Sequence, residues 1–460
     1  MIWEDKIMKK ALSSILIIIA LVLILPANCI LADEIDYVDV RIGKTYAILD
    51  RVLLTSREGF ELYSKDDKTK DLMTINSTRL FVSISFSDSR SLDIFDESNS
   101  YVTTIPADGS FVLGTNGETI NVSGTEYRGY LGFISGSSGL MIINHVDVES
   151  YLYGVVPKEI PPLSSEEALK AQAVAARSFV YNSINKHASE GYNLCDTTHC
   201  QAYGGMASEH GNTNRAVAET FGLVATYNGL PASTVYHSSS GGYTENSEKV
   251  WVTAVPYLRA VPDPFSATGQ NSSWSLILNA DDLEAKLESS GFDVGRVEGL
   301  SIIERTESGR VSTMEIIGSR DTIKLTGVQF RSVIGTITLK STLFYIGEET
   351  STTISSVYAL DSRRNYDMEP SRRGYSVIGK DGEVKQTNTI TVLGSNGVKK
   401  YGYQEETVIK SDEFLITGKG FGHGVGMSQY GAIEMAKQGY TFDEILKHYY
   451  KNIELTTFYR

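Results

Sequence analysis

The sequence predicts an α+β protein of mixed, multi-lobed type, with a β-rich N-terminal part, a helical middle and closing helices. Three observations carry this. Short alternating runs separated by turns fill the first third: Val38–Ile42, Val52–Leu54, Phe60–Tyr63, Leu80–Phe86, Tyr127–Ile134 and Gly139–Ile143. Ser164-Ser-Glu-Glu167 then reads as a capping box that opens an alanine-rich helix through Ala168, Leu169, Ala173, Val174, Ala176 and Val180. Near the end, one helix runs from Ser428 to Lys437 and stops at Gly439. A second starts at the box Thr441-Phe-Asp-Glu444 and sets Ile445, Leu446 and Tyr449 on one side.

The remaining elements follow in order. A helix begins near Asp147, and the apolar run after it reads as strand-like up to Glu159. Thr213–Phe221 is helical, and Leu223–Tyr227 and Thr234–Ser238 flank the hairpin turn Asn228-Gly229. Leu300–Ile317 is a hairpin around Ser308-Gly309, and Leu325–Ile334 is helical. From Glu348 to Asp412 a Thr/Ser-rich stretch, a basic cluster and turns at Asp381-Gly382 and Asn396-Gly397 mark a β-type insertion.

Residues 1–32 read as a targeting segment. Lys6, Lys9 and Lys10 precede an apolar run that, extended to Ala32, is 22 residues long. That length spans a bilayer if uncleaved, and no clean A-x-A site follows, so an N-terminal anchor competes with a cleaved signal. Either way the chain is expected to be exported and to work on the extracytoplasmic face. The 460 residues, 41% apolar and 21% charged, are those of a globular protein. A net charge of −14 argues against nucleic acid as a partner.

Gly418–Ala432 reads G-K-G-F-G-H-G-V-G-M-S-Q-Y-G-A, with five glycines in nine residues around His423. Such density just before a helix points to a built backbone turn at a binding site. It is neither a phosphate loop nor a dinucleotide fingerprint, since the Lys precedes the glycines and no ribose-binding acid follows.

Three constellations carry candidate chemistry. In Tyr151–Pro162, Glu159 lies among Pro157, Pro161 and Pro162, where a stiff backbone and apolar neighbours raise a carboxyl pKa toward that of a general acid. The competing reading is a solvated turn or helix-capping glutamate. The second is His187 with Cys195-Asp-Thr-Thr-His-Cys200, which offers a Cys₂His₂ zinc set, a Cys195–Cys200 disulfide or two free thiols. Because His199 and Cys200 are adjacent, shared ligation needs a sharp turn between them. The third, Tyr236–Thr244, is serine-rich around His237 but lacks the spacing of a nucleophilic serine, and reads as a hydrogen-bonding glycan surface or a tight turn. His145, His210 and His448 have no motif.

At these residues the chain resembles the stage II sporulation protein D (SpoIID)/LytB family of bacterial cell-wall proteins. The matching stretches are Val146–Pro161, Glu167–Arg177, Cys195–Tyr203, Ser238–Thr244, Pro256–Val261, Gly309-Arg310, Leu339–Thr342 and Gly420–Ala432. They come in order between Val38 and Ile453, and the 348–412 insertion lies outside them. The resemblance implies one SpoIID-type catalytic region over residues 35–455, acting as a peptidoglycan lytic transglycosylase on glycan strands stripped of stem peptides. It implies Glu159 as the catalytic acid and zinc on His187, Cys195, His199 and Cys200, in a closed structural site. Gln201, Tyr203, Ser239, His423 and Gln429 are expected to line the glycan groove. The implied partners are a peptidoglycan amidase, the membrane and other membrane proteins of the engulfment machinery. LytB-type members imply a contrasting role, a glycan-binding enhancer of an amidase that cleaves nothing itself.

Overall fold

The computed structural model describes residues 37–43, 51–117, 119–136, 139–267, 269–347 and 408–458, together with strands at 375–378, 384–387, 389–394 and 397–402. The expected targeting segment at 1–32 lies outside the described residues. No helix among the described residues is long and apolar enough to cross a membrane. The architecture is α+β, and the chain forms two compact units. One holds the residues up to Tyr236 with Val255–Arg259 and the residues from Gly426 onward. The other holds His237–Ala254 and Ala260–Val425.

The first unit carries two large sheets and a small one of Leu230–Pro231, Leu223–Tyr227 and Glu454–Thr457. A seven-stranded sheet runs in the order Leu194–Cys195, Tyr37–Ile42, Gly139–Asp147, Tyr130–Gly136, Asp108–Gly114, Phe60–Ser64, Met73–Ile75. A six-stranded sheet runs Thr125–Tyr127, Ile120–Val122, Arg51–Thr55, Arg79–Ile84, Ser91–Phe95, Tyr101–Pro106. Alternation decides which face is buried: Val52 and Leu54, Leu80 and Val82, and Leu92 and Ile94 all enter the core at period two. The same core takes in the apolar faces of the Val148–Glu159 and Glu166–Ser183 helices.

The run before Glu159 is helical, not strand-like. Its β-branched residues favour a strand, but Val148, Tyr151, Leu152, Val155 and Val156 are buried at helical spacing, and that face wins. Asp147 caps the helix, its side chain accepting from Ser150 N. The next helix starts at Glu166, but its capping box does not form, since Ser165 makes no side-chain cap bond. Glu167 is used elsewhere: its Oε2 accepts from Phe442 N at 2.7 Å, at the start of the Phe442–Tyr449 helix. That helix does carry its own box between Thr441 and Glu444, and the Gln429–Lys437 helix is capped by Ser428. The Asn228-Gly229 turn closes a hairpin of Leu223–Tyr227 with Leu230–Pro231, both turn residues at positive φ. Thr234–Ser238 is not its second strand.

In the second unit, Trp274–Asn279, Glu413–Gly418 and Phe344–Ile346 form one sheet. Thr322–Thr326, Val311–Gly318, Val297–Arg305 and Val408–Lys410 form another, built on the expected Ser308-Gly309 hairpin. The Ala280–Ser289 and Gly327–Ile334 helices close its core on Leu283, Leu287, Phe330 and Ile334. The described strands within 348–412 include two hairpins, 375–378 with 384–387 and 389–394 with 397–402.

Candidate functional site

Glu159 is the last residue of the Val148–Glu159 helix, with Pro157 in its final turn. Its Oε1 accepts from Ala202 N at 3.0 Å. Burial pushes its carboxyl above the ordinary glutamate range. Ala202 N, the Gln429 amide, the Tyr236 hydroxyl and the charge of Lys158 pull the other way without cancelling it. None of the groups that bear most on this proton is a carboxylate. Glu159 is therefore a part-buried acid whose charged form is stabilised by three aimed donors.

A second layer fixes those donors. Gln201 Nε2 donates to the Tyr236 hydroxyl at 3.1 Å and to Ala176 O at 3.3 Å. Gln201 Oε1 accepts from Tyr151 at 3.3 Å. Gln429 Nε2 donates to Gln172 Oε1 at 3.3 Å. Burial holds the Tyr236 phenol well above its ordinary value, so it stays a neutral donor. Tyr203 is buried and spends its hydroxyl on Asn144 Oδ1 at 2.9 Å, its ring lying against Gly154.

Gln201 and Ala202 follow directly on the His/Cys cluster. Leu194–Cys195 pairs parallel to Tyr37–Ile42, and a turn in which Cys200 N donates to Thr197 O supplies the sharp bend that adjacent ligands need. Neither thiol is in a disulfide. Cys195 Sγ lies 3.7 Å from His199 Nδ1, and Cys200 Sγ lies 3.6 Å from His199 Nδ1 and 3.5 Å from His187 Nε2. The four ligand atoms all fall within 4.8 Å of one another. Tetrahedral zinc with bonds of about 2.3 Å to sulfur and about 2.05 Å to nitrogen has S···N edges of about 3.6 Å. The donor set therefore fits zinc. His187 Nδ1 meets Glu190 Oε1 at 2.6 Å, which leaves Nε2 for a metal and orients the ring.

Of the expected groove residues, Gln201, Tyr203 and Gln429 lie in the first unit with Glu159, and Ser239 and His423 lie in the second. Ser239 exchanges backbone bonds with Phe421, and its hydroxyl is buried without a partner among the described residues. In the Gly418–Ala432 stretch, Gly420, Gly422, Gly424 and Gly426 all have positive φ, as the glycine density requires. A Cβ on Gly424 would come within 2.5 Å of Arg310 Cζ. His423 Nδ1 accepts from Val425 N at 3.1 Å, so the ring proton sits on Nε2.

The sequence reading missed Tyr236 and Gln172. Tyr236 stands at the head of a motif read as a hydrogen-bonding glycan surface or a tight turn. Gln172 is a fully buried polar residue within the alanine-rich helix, and such a residue needs a partner.

Comparison with known proteins agrees with the resemblance. Residues 136–227 match the SpoIID family model, described as stage II sporulation protein, and residues 271–362 match a domain of unknown function. Stage II sporulation protein D of Bacillus amyloliquefaciens is 30% identical over 332 residues, covering 68% of this chain and 75% of that protein. The chain belongs to the SpoIID family. Stage II sporulation protein D of Bacillus subtilis (strain 168) is 29% identical over 329 residues, 68% of this chain and 76% of that protein. An amidase enhancer of the same organism is 34% identical over 316 residues, 67% of this chain. The match spans only 40% of the amidase enhancer's length. Within this SpoIID-family chain, the family model covers Glu159, Gln201, Ala202 and the whole His/Cys cluster.

Proposed function

We propose that the chain is a peptidoglycan lytic transglycosylase that cuts peptide-stripped glycan strands between N-acetylmuramic acid and N-acetylglucosamine, in the wall remodelling of sporulation. The observation that carries this reading is the raised carboxyl of Glu159, with neutral donors and no carboxylate among the groups that bear most on it. A glycoside hydrolase of the usual kind needs two carboxylates, whereas an intramolecular transfer needs one. Protonated Glu159 gives its proton to the glycosidic oxygen, and the bond from that oxygen to C1 of the muramic acid breaks. The C6 hydroxyl oxygen of the same sugar bonds to C1, and its proton passes to the Glu159 carboxylate. The product ends in a 1,6-anhydro ring, water takes no part, and the acid is restored.

Tyr236, Gln429 and Ala202 N hold the carboxylate in its charged interval. His187, Cys195, His199 and Cys200 would hold zinc. With four protein ligands, the ion supplies a structural cross-link and no open position for chemistry. Its role follows from chain order, because it braces the segment that presents Gln201 and Ala202. In this reading the protein works exported and anchored by its N-terminal segment, beside an amidase that frees the strands of peptide.

A second reading rests on the amidase enhancer relative. In it the chain binds glycan and stimulates an amidase without cutting. Incubation of the protein and its Glu159→Gln variant with peptide-free glycan strands, read by mass spectrometry, separates the two. Anhydro-ended fragments from the unmodified protein alone support the transglycosylase. No cleavage by either protein, with a faster amidase in the presence of both, supports the enhancer.

A further inference from the structure

An aromatic pair in the second unit has no role in the chemistry above. Trp251 is 43% exposed, and its neighbour Val252 is 100% exposed. The indole lies against His423 with ring centroids 5.1 Å apart and planes tilted by 53°. Its N–H has no hydrogen-bond partner among the described residues. By contrast, Trp274 of the same unit donates its indole N–H to Gly420 O at 2.8 Å. Tryptophan is highly buried on average in folded proteins, so an indole left 43% exposed beside an imidazole stands apart from the core.

The loop that carries it is rigidly tied. Trp251 N and Val250 N both donate to Ser247 O, at 2.7 and 3.1 Å, and Ser247 Oγ donates to Thr253 O at 2.9 Å. Asn246 Oδ1 accepts from Ala260 N at 3.0 Å. Glu245 N donates to Gly424 O at 2.8 Å, and the buried Glu245 carboxylate accepts from Thr306 and Ser308. The loop of Trp251 and the glycine turn of His423 are thus bound to one frame. Beneath that turn the buried Arg310 donates to Ser240 O at 2.7 Å. The two rings are set before any ligand arrives, which lowers the ordering cost of binding.

We infer that Trp251, edged by His423, is a stacking platform for one sugar ring of a peptidoglycan glycan strand. A pyranose offers an apolar C–H face the size of an indole and a rim of hydroxyl and N-acetyl acceptors for the N–H. One tryptophan and one valine fall far short of the roughly 800 Å² per partner that a stable protein interface buries. The inference rests on the glycan reading of the function and adds a binding residue to it.

The test uses the full chain as Glu159→Gln, which stops turnover, titrated with peptide-free glycan oligosaccharides by calorimetry. Adding Trp251→Ala is expected to weaken binding about tenfold, in keeping with stacking losses elsewhere, and Trp251→Phe to restore most of it. Unchanged affinity in Trp251→Ala, while the unmodified protein cleaves or binds glycan, overturns the platform and leaves the functional reading standing. No binding and no cleavage by the unmodified protein overturns both. Glycan affinity retained while stimulation of an amidase is lost would assign Trp251 to a protein partner and end the proposal. An unchanged melting temperature of Trp251→Ala, expected for so exposed a side chain, ties any loss to the platform, whereas a loss that tracks unfolding counts against it.

Discussion

Glu149 receives both forks of Arg177: Nε and Nη2 each reach a carboxylate oxygen at 2.7 Å, with the guanidinium fully buried. The pair joins the helix that ends in Glu159 to the alanine-rich helix. Arg177 also donates to Leu223 O and Val217 O. Removing one partner leaves a buried charge without its counter-ion, which costs about 3–5 kcal/mol. Arg177→Met should therefore lower stability by about that much in urea unfolding. The double variant Arg177→Met/Glu149→Leu should recover part of it.

The raised carboxyl of Glu159 fixes the sign of two pH effects. Above its raised value the acid is ionised, so cleavage should fall on the alkaline side. Tyr236→Phe removes a donor to the charged form and should move that limb to higher pH. For stability, an unfolded glutamate titrates near 4.5 and the folded one higher, so the fold holds the extra proton. The contribution is present below about 4.5 and is lost as pH rises through the folded value. Glu159→Gln should thus raise the melting temperature at neutral pH and lose that advantage below pH 4.5. Melting curves across the range check it.

Metal analysis of the purified protein should find about one zinc per chain, lost in Cys195→Ser. Glu190→Gln leaves all four ligands and removes the carboxylate on His187 Nδ1. It should weaken zinc about 10- to 100-fold in chelator competition. A Cys195–Cys200 crosslink in mass spectra of the native protein would contradict this set.

Gly154→Ala tests how tightly Tyr203 is held. In an exposed helix the change is worth about 1 kcal/mol of added stability. Here the new Cβ would sit 2.4 Å from the Tyr203 ring and 3.1 Å from Gly205 O. The sign should reverse, with a loss of about 1–3 kcal/mol by thermal unfolding.

What the sequence made legible was local. The Thr441–Glu444 box, the Ser308-Gly309 and Asn228-Gly229 turns and the Cys195–Cys200 set each depend on residues a few positions apart, and each is seen. What it concealed was choice among distant partners. Ser164–Glu167 has the letters of a capping box, but Glu167 serves Phe442 N, 275 residues away. Tyr236 and Gln172 gave no signal because the groups they serve come from other parts of the chain. The strand-like reading before Glu159 failed because β propensity yields to a helical face that the core can bury.

The first unit is drawn from both ends of the polypeptide, with the second unit's residues running between. Gln172 meets Gln429 across 257 residues of chain. A polypeptide cut short anywhere in the second unit therefore has Glu159 but neither Gln429 to steady its charge nor Phe442 to engage Glu167. Synthesis must run past Phe442 before Glu159 and Glu167 both have these partners. A fragment that stops short of Gln429 carries the glutamate without the amide that steadies its charge.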